Sequence, residues 1–224
     1  MLKTIIKGSN TGFDEILDAS KVKTFAFYVA VIYLFGGVYG ITIGLWRAPL
    51  QGFYMAIKFP LLIIIMVLMT SISNWILSIN LGLRMPYLRF LSLMFLIYSI
   101  TVVILASLTP ILFFILLNTP GLPSKNANTS VAILTLLQII FIALAGFLSH
   151  LRMASYLKIT HPGIPSLKII SVWIALNLFI GTQLSWVLRP FIGSPYHPVE
   201  FLREHPLKGN FYIDTYTKIL DLLR

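Results

Sequence analysis

Residues 90–117 read FLSLMFLIYSITVVILASLTPILFFILL, which is 28 consecutive residues without a charged side chain. A helix crosses the roughly 30 Å hydrocarbon core of a bilayer with about 20 apolar residues. The stretch therefore predicts a transmembrane helix. Because it exceeds the required length and contains Pro110, we expect this helix to tilt or to kink near the proline.

Four further hydrophobic runs have the same character. They cover Thr24–Trp46, Phe59–Ile79, Val131–Ala154 and Ile169–Leu188, and Arg152, near the end of the third of these four runs, is their one charged residue. In lipid every backbone amide needs an internal partner, and the alternating pattern of a membrane barrel is absent, so the runs must be helices. The sequence predicts an all-α polytopic membrane protein: a bundle of about five helices (residues 23–188) between a polar N-terminal tail (1–22) and an extramembrane C-terminal tail (189–224).

Composition supports a membrane location and argues against nucleic acid as a partner. The chain is 58% hydrophobic and 11% charged, has a mean hydropathy of +0.89, and carries a net charge of +10. Soluble domains carry roughly 25% charged residues. The basic residues flank the hydrophobic runs, where lipid headgroups lie. We therefore expect headgroup contacts for Arg47, Lys58, Arg84 and Arg89, with the amphipathic segment 47–58 forming an interfacial turn.

The distribution of basic residues also indicates an orientation. Seven residues lie on the N-terminal side of the predicted bundle (Lys21, Lys23, Arg84, Arg89, Arg152, Lys158 and Lys168), against five on the other (Arg47, Lys58, Lys125, Arg189 and Arg203). Cytoplasmic loops carry the excess of Lys and Arg. This bias favours a cytoplasmic N-terminus, with the bacterial inner membrane as the expected location.

Two tails flank the bundle, and each contains a predicted helix. In the N-terminal tail Thr11 and Asp14 form a capping box, followed by Phe13, Ile16 and Leu17 on one side of a short surface helix. We expect this helix to dock on the protein's own loops, with a position on the membrane surface as the alternative. In the C-terminal tail, residues 213–223 have the spacing of an amphipathic helix.

Gly36, Gly40 and Gly44 form a GxxxGxxxG stripe in the first predicted helix. Small residues at this spacing let a second helix approach closely, which is how helices associate in lipid. The stripe predicts a close-packed seam. We expect a neighbouring helix of the same chain on it, and an interface with another subunit, including a second copy, is the alternative.

The membrane-spanning runs contain few polar side chains. Asn74, Gln138, Asn177 and Gln183 are predicted to hydrogen-bond between helices, and a substrate path is the alternative. His150 is placed at the headgroup level near the end of its run. Ligation of haem or of a pigment by this histidine is the less favoured reading.

The C-terminal sequence HPVEFLREH places His197 near Glu200, so a metal site can be drawn there. Because Arg203 can pair with Glu200, we expect a solvated, turn-rich helical piece and no metal. Every acid lies within the first 18 residues or from Glu200 onward, and the chain has no cysteine. General acid–base work inside the membrane would then fall to His or Tyr alone.

The sequence thus favours a non-catalytic integral membrane subunit that anchors or organises a larger membrane complex. Its partners would be lipids and other membrane subunits, with bound lipid but no cofactor. The alternative is a small transporter, channel or lipid-handling protein using the uncharged polar residues.

Two resemblances accompany this reading. GTQLSWVLRPFIGSP (181–195), EFLREHPLKGNFY (200–212) and RAPLQGFYMAIKFP (47–60) are similar to stretches of uncharacterised bacterial polytopic membrane proteins, which are often described as actin-binding (Wiskott–Aldrich homology). The five-span layout with a polar N-terminal tail more weakly resembles the Yip family of membrane proteins. Both resemblances imply a polytopic topology, and neither supplies catalytic residues.

Overall fold

The computed structural model describes residues 21–122, 127–193 and 197–213, together with Phe13 and Leu17. In these ranges the chain forms five α-helices: α1 (Lys21–Leu45), α2 (Pro49–Asn80), α3 (Tyr87–Leu117), α4 (Ala127–Thr160) and α5 (Ser166–Val187). They contain 22 to 34 residues each, or about 33–51 Å at the α-helical rise. All five are long and apolar enough to cross a membrane, which confirms the all-α polytopic prediction.

The helix boundaries differ from the prediction at two places that matter for the site. α2 begins at Pro49 and not at Phe59, so the prediction of an interfacial turn over 47–58 is wrong. Proline suits the first position of a helix, because its missing N–H would have no partner there. α4 continues to Thr160, six residues beyond the predicted end. α3 remains helical through Pro110.

The helices form a closed sequence of neighbours. α1 packs against both α2 and α3, α2 also packs against α5, and α4 contacts α3 and α5. Aromatic rings fill the centre: Tyr28 stacks on Phe95 with ring centroids 6.4 Å apart, and Trp173 meets Phe90 edge-on at 5.2 Å. The outer face of α4 is largely exposed and apolar, as expected of a lipid-facing helix.

The glycine stripe of α1 faces α2 of the same chain. A Cβ at Gly44 would lie 2.5 Å from the carbonyl oxygen of Gln51, and one at Gly40 would lie 2.9 Å from the carbonyl carbon of Met55. At Gly36 the corresponding neighbours are side-chain atoms at 3.5 Å. The expected internal seam is therefore confirmed, and the stripe is covered by α2 and not by another subunit.

The described part of the N-terminal tail docks on the bundle. Phe13 is fully buried and meets Tyr156 of α4 edge-on, with ring centroids 5.7 Å apart, and Leu17 is also buried. Docking is confirmed for these two residues, although the contact is with a helix rather than with a loop. The predicted capping box of Thr11 and Asp14 and the position of Ile16 lie outside the described residues, as does most of the helix predicted over 213–223.

Candidate functional site: a clamp on the C-terminal segment

The chain leaves α5 at Val187, and residues 188–193 and 197–213, here called the C-terminal segment, fold back on the bundle. The level at which α5 ends is fixed by its pairing with α2. Asn177 lies beside Asn74, and Gly181 lies against Met66. The two helices are antiparallel, so the end of α5 lies beside Lys58 of α2. The first nine residues of α2, from Pro49 to Ile57, extend beyond the end of α5. The segment therefore packs where a longer α5 would have continued.

Lys58 caps the end of α5. Its side chain is fully buried, and its Nζ donates to the carbonyl oxygens of Leu188 at 3.1 Å and of Pro190 at 2.5 Å. The last carbonyls of a helix have no partner inside the helix and carry its partial negative charge. An ammonium at this place satisfies the oxygens and is itself stabilised by them.

Gln51 completes this contact from two turns farther along α2. It is fully buried, and its Nε2 donates to the carbonyl oxygens of Pro190 at 3.2 Å and of Phe191 at 2.7 Å. Gln51 and Lys58 are seven residues apart, so they occupy one face of the helix. We call these two residues the clamp. Irregular backbone against membrane helices is tolerated only where its polar groups are satisfied by protein or water, and the clamp provides those partners.

Aromatic rings and a charged pair surround the ammonium. The ring centroids of Phe191 and Phe201 lie 5.7 and 5.3 Å from the Nζ of Lys58, within range for a cation–π interaction. Glu200 pairs with Arg203 at 3.0 Å, and both act electrostatically on Lys58. The buried positive charge is thus shielded from lipid by carbonyls, rings and one carboxylate.

Arg47 fixes the next part of the segment. Its Nη2 donates to the carbonyl oxygen of His197 at 3.2 Å, and its side chain packs on Gly193. Gly193 has φ +96°, a backbone conformation that other residues rarely adopt, and a Cβ there would lie 2.9 Å from the Cγ of Arg47. The chain can turn back over Arg47 because this position is glycine.

The remainder of the segment lies along the outer face of α5. The guanidinium of Arg189 stacks on Trp186 at 3.7 Å, and the Nε1 of Trp186 donates to the carbonyl oxygen of Lys208 at 3.2 Å. Farther along, Tyr212 stacks on Phe179 with centroids 5.6 Å apart, and its hydroxyl lies 2.9 Å from that of Thr182. The segment is therefore fixed to the bundle over its whole described length.

Two sequence-based expectations are corrected here. Lys58 does not contact lipid headgroups, because α2 places it nine residues inside the helix, where backbone carbonyls replace water and lipid as its partners. The predicted helical piece around Glu200 is absent: residues 197–210 consist of bends and turns. The predicted pairing of Arg203 with Glu200 is confirmed.

The predicted intramembrane polar residues separate into two groups. Asn74 and Asn177 are buried, and the Nδ2 of Asn74 donates to the Oδ1 of Asn177 at 2.9 Å, which confirms a hydrogen bond between α2 and α5. One turn away the Nε1 of Trp173 donates to the Oγ of Ser78 at 2.7 Å. Gln138 on α4 and Gln183 on α5 are half-buried and do not join this pair.

His150, predicted from the sequence at the headgroup level, is buried within the bundle. It is 4% exposed, its Nδ1 lies 2.7 Å from the carbonyl oxygen of Gly146, and its ring meets that of Tyr98. α4 continues ten residues past it, to Thr160. In the part of the chain that the structure describes, no three His, Asp or Glu residues are grouped as metal ligands, His197 and Glu200 included.

Arg84 and Arg89 lie at the opposite end of the bundle. Arg84 is exposed in the turn between α2 and α3, and Arg89 is half-buried in the first turn of α3.

Comparison with protein-family models, with curated proteins and with solved structures finds no match to this chain. The two resemblances noted in the sequence therefore stay untested, and the function must be argued from the contacts above.

The sequence reasoning missed Gln51 and the dependence of the C-terminal segment on α2. A signal was present in the spacing, since Gln51 and Lys58 share one face if residues 47–58 are helical. Their acceptors are at least 130 residues away in the chain. That distance put the contact out of reach of local patterns.

Proposed function

We propose that this protein is a non-catalytic integral membrane subunit that anchors or organises a larger membrane complex through the C-terminal segment. The observation that carries the proposal is the clamp. Lys58 and Gln51 hold three backbone carbonyls of an irregular segment, those of Leu188, Pro190 and Phe191, so that segment keeps one shape on the bundle. Binding surfaces gain affinity when they are ordered before the partner arrives.

The physical cost of this arrangement supports a binding role. Fixing an irregular backbone costs about 1–2 kcal/mol of conformational entropy per residue, and the chain offsets that cost with a buried lysine, stacked rings and several side-chain hydrogen bonds. The held segment still presents apolar side chains outward, with Leu207 78% exposed and Ile213 60% exposed. Another membrane subunit is the partner that would cover such residues.

The membrane interior agrees with a packing role. Asn74 pairs with Asn177, and Trp173 pairs with Ser78, so the α2–α5 contact uses these polar groups to hold the bundle together. Thr101 and Ser149 make a similar contact between α3 and α4, with their hydroxyl oxygens 2.7 Å apart. Interhelical hydrogen bonds of this kind contribute about 0.6–2 kcal/mol each.

Site-specific photo-crosslinking in native membranes tests the proposal. A photoreactive phenylalanine analogue replaces Leu207, and a matched control replaces Leu136, which is 60% exposed on the lipid-facing side of α4. We expect one discrete protein adduct from position 207 and lipid adducts alone from position 136. In a Lys58→Met background the adduct at 207 should disappear, because the segment loses its fixed shape.

Equal crosslinking at both positions, or an adduct at 207 that is unaffected by Lys58→Met, would argue against the clamp as the basis of binding. A chain that remains an isolated monomer in several mild detergents, with no protein adduct from either position, would refute the subunit role.

A second candidate is a small transporter, channel or lipid-handling protein. It is favoured by a buried amide atom, the Oδ1 of Asn74, which has no hydrogen-bond partner among the described residues. Polar atoms of this kind can serve a passing substrate. Flux or lipid scrambling in reconstituted vesicles that is lost with Asn177→Ala or Gln183→Ala would favour this candidate.

We also propose the bacterial inner membrane with a cytoplasmic N-terminus, which the excess of basic residues at that end supports. The chain has no cysteine, so a single introduced cysteine reports its own side. With a membrane-impermeant thiol reagent added to intact cells, we expect Glu204→Cys, at an exposed polar position of the C-terminal segment, to react and Lys168→Cys to stay protected. The reverse result would invert the orientation.

A further inference from the structure

A cleft lies at the end of the bundle away from the clamp. It has a volume of about 360 Å³ and is formed where the turn between α2 and α3 meets the end of α4. Its walls are Arg84, Met85, Pro86, Arg89, Thr160 and His161. Two parts of the chain about 75 residues apart thus contribute to one basic pocket.

The groups lining this cleft match the chemistry of a phosphate. Arg84 and Arg89 carry guanidinium groups, whose planar forks bind phosphate oxygens in pairs. On the other wall the Oγ1 of Thr160 donates to the carbonyl oxygen of Tyr156 and lies 2.9 Å from the Nδ1 of His161, which places the imidazole beside the cleft. α3 begins beside the cleft at Tyr87, and the preceding Pro86 provides no side-chain cap, so the amides of the first turn add partial positive charge.

The surroundings favour an anion as well. Lys158 and Lys168 are exposed at the same end as the cleft and raise the positive potential there. A basic pocket between membrane helices is the usual setting for the binding of an anionic headgroup.

We propose that this cleft is a binding site for a phosphate group, supplied by an anionic lipid headgroup or by a soluble phosphate compound. Arg84 is its principal ligand, and Arg89 and His161 flank the phosphate. The site is independent of the function proposed for the C-terminal segment, because it lies at the opposite end of the molecule.

The test uses the full-length protein in neutral detergent and three probes: dioleoyl phosphatidic acid, dioleoyl phosphatidylcholine and inorganic phosphate. Binding is followed by the concentration dependence of the thermal unfolding temperature. We expect phosphatidic acid to stabilise the protein at far lower concentration than phosphatidylcholine. Arg84→Gln should weaken the binding of phosphatidic acid about tenfold, as expected for the loss of a charge-assisted hydrogen bond.

Lys158→Gln is the matched control, since it removes the same charge from the same end of the bundle but does not line the cleft. We expect it to change the apparent affinity less than about twofold, because an exposed charge outside the cleft is screened. His161→Gln provides a second variant on the opposite wall and should weaken binding in the same direction as Arg84→Gln.

The outcomes separate the two sources of phosphate. Inorganic phosphate that stabilises the protein, with an effect reduced in Arg84→Gln, would assign the site to a soluble phosphate compound. Binding of phosphatidic acid without any effect of inorganic phosphate would assign it to a lipid headgroup. An equal loss in Arg84→Gln and Lys158→Gln, or no preference for phosphatidic acid together with no effect of inorganic phosphate, would overturn the proposal.

Discussion

The glycine stripe of α1 allows a comparison of three chemically identical substitutions on one helix face. Gly36→Ala, Gly40→Ala and Gly44→Ala each add one methyl group toward α2. At Gly44 that methyl would lie 2.5 Å from the oxygen and 2.7 Å from the carbon of the Gln51 carbonyl, and 2.7 Å from the Cα of Gly52. These are backbone atoms of a helix and cannot rotate away.

The structure therefore predicts that the three substitutions change the stability of the protein by different amounts. To restore ordinary contact, which begins at about 3.4 Å, α1 and α2 must separate by nearly 1 Å at Gly44, and similarly at Gly40. Overpacking of this kind costs about 1–3 kcal/mol. At Gly36 the added methyl would meet side-chain atoms at 3.5 Å, so its contact is ordinary and the higher helix propensity of alanine offsets any strain.

Thermal unfolding of the purified protein in detergent, followed by intrinsic fluorescence, measures the difference. For a chain of this size 1 kcal/mol corresponds to about 2–4 °C. We expect Gly44→Ala and Gly40→Ala to lower the unfolding temperature by about 3–10 °C, and Gly36→Ala to leave it within about 2 °C of the unsubstituted protein. An equal fall for all three variants would refute the argument from backbone contact.

Three further predictions follow from the site. Lys58→Met leaves the carbonyl of Leu188 without a donor, so it should lower the free energy of unfolding by about 1–3 kcal/mol and speed the proteolysis of the C-terminal segment. Lys168→Met, at an exposed position, should change neither the stability nor the rate of proteolysis. Asn74→Ala and Asn177→Ala should each cost about 0.6–2 kcal/mol, and the double variant should cost less than the sum of the two; full additivity in chemical unfolding would show that the two amides are not coupled. Gly193→Ala should cost about 1–3 kcal/mol because φ there is positive, and an unchanged unfolding temperature would contradict the strained turn over Arg47.

The fold was predictable to a large extent because the bilayer constrains the sequence strongly. A run such as 90–117 has no stable alternative to a helix in lipid, so the number and order of helices followed from hydropathy. The pairing of Asn74 with Asn177 was also within reach, since polar groups in lipid need partners. Helix ends were harder to predict, because α2 begins in a segment that contains a lysine and is not hydrophobic enough to indicate a membrane helix.

The site was harder to predict because its parts are distant in the chain. Lys58 resembles any basic residue that flanks a hydrophobic run, and the sequence placed it among lipid headgroups. Its burial depends on where α5 ends relative to α2, which is set by packing around Asn74 and Gly181. The alignment of α5 against α2 cannot be predicted from either segment's own sequence pattern.

The sequence by itself determined that this chain is a five-helix membrane protein, that α1 carries a close-packing face, and that its charges, apart from Arg152, lie outside the long apolar runs. The tertiary structure alone decided that α2 covers the glycine face, that α5 stops at the level of Lys58, and that the C-terminal segment is held on the bundle. The physical reason is the range of the interactions. Transfer into lipid acts on each segment separately, whereas the burial of a lysine requires acceptors that only the folded chain brings to it.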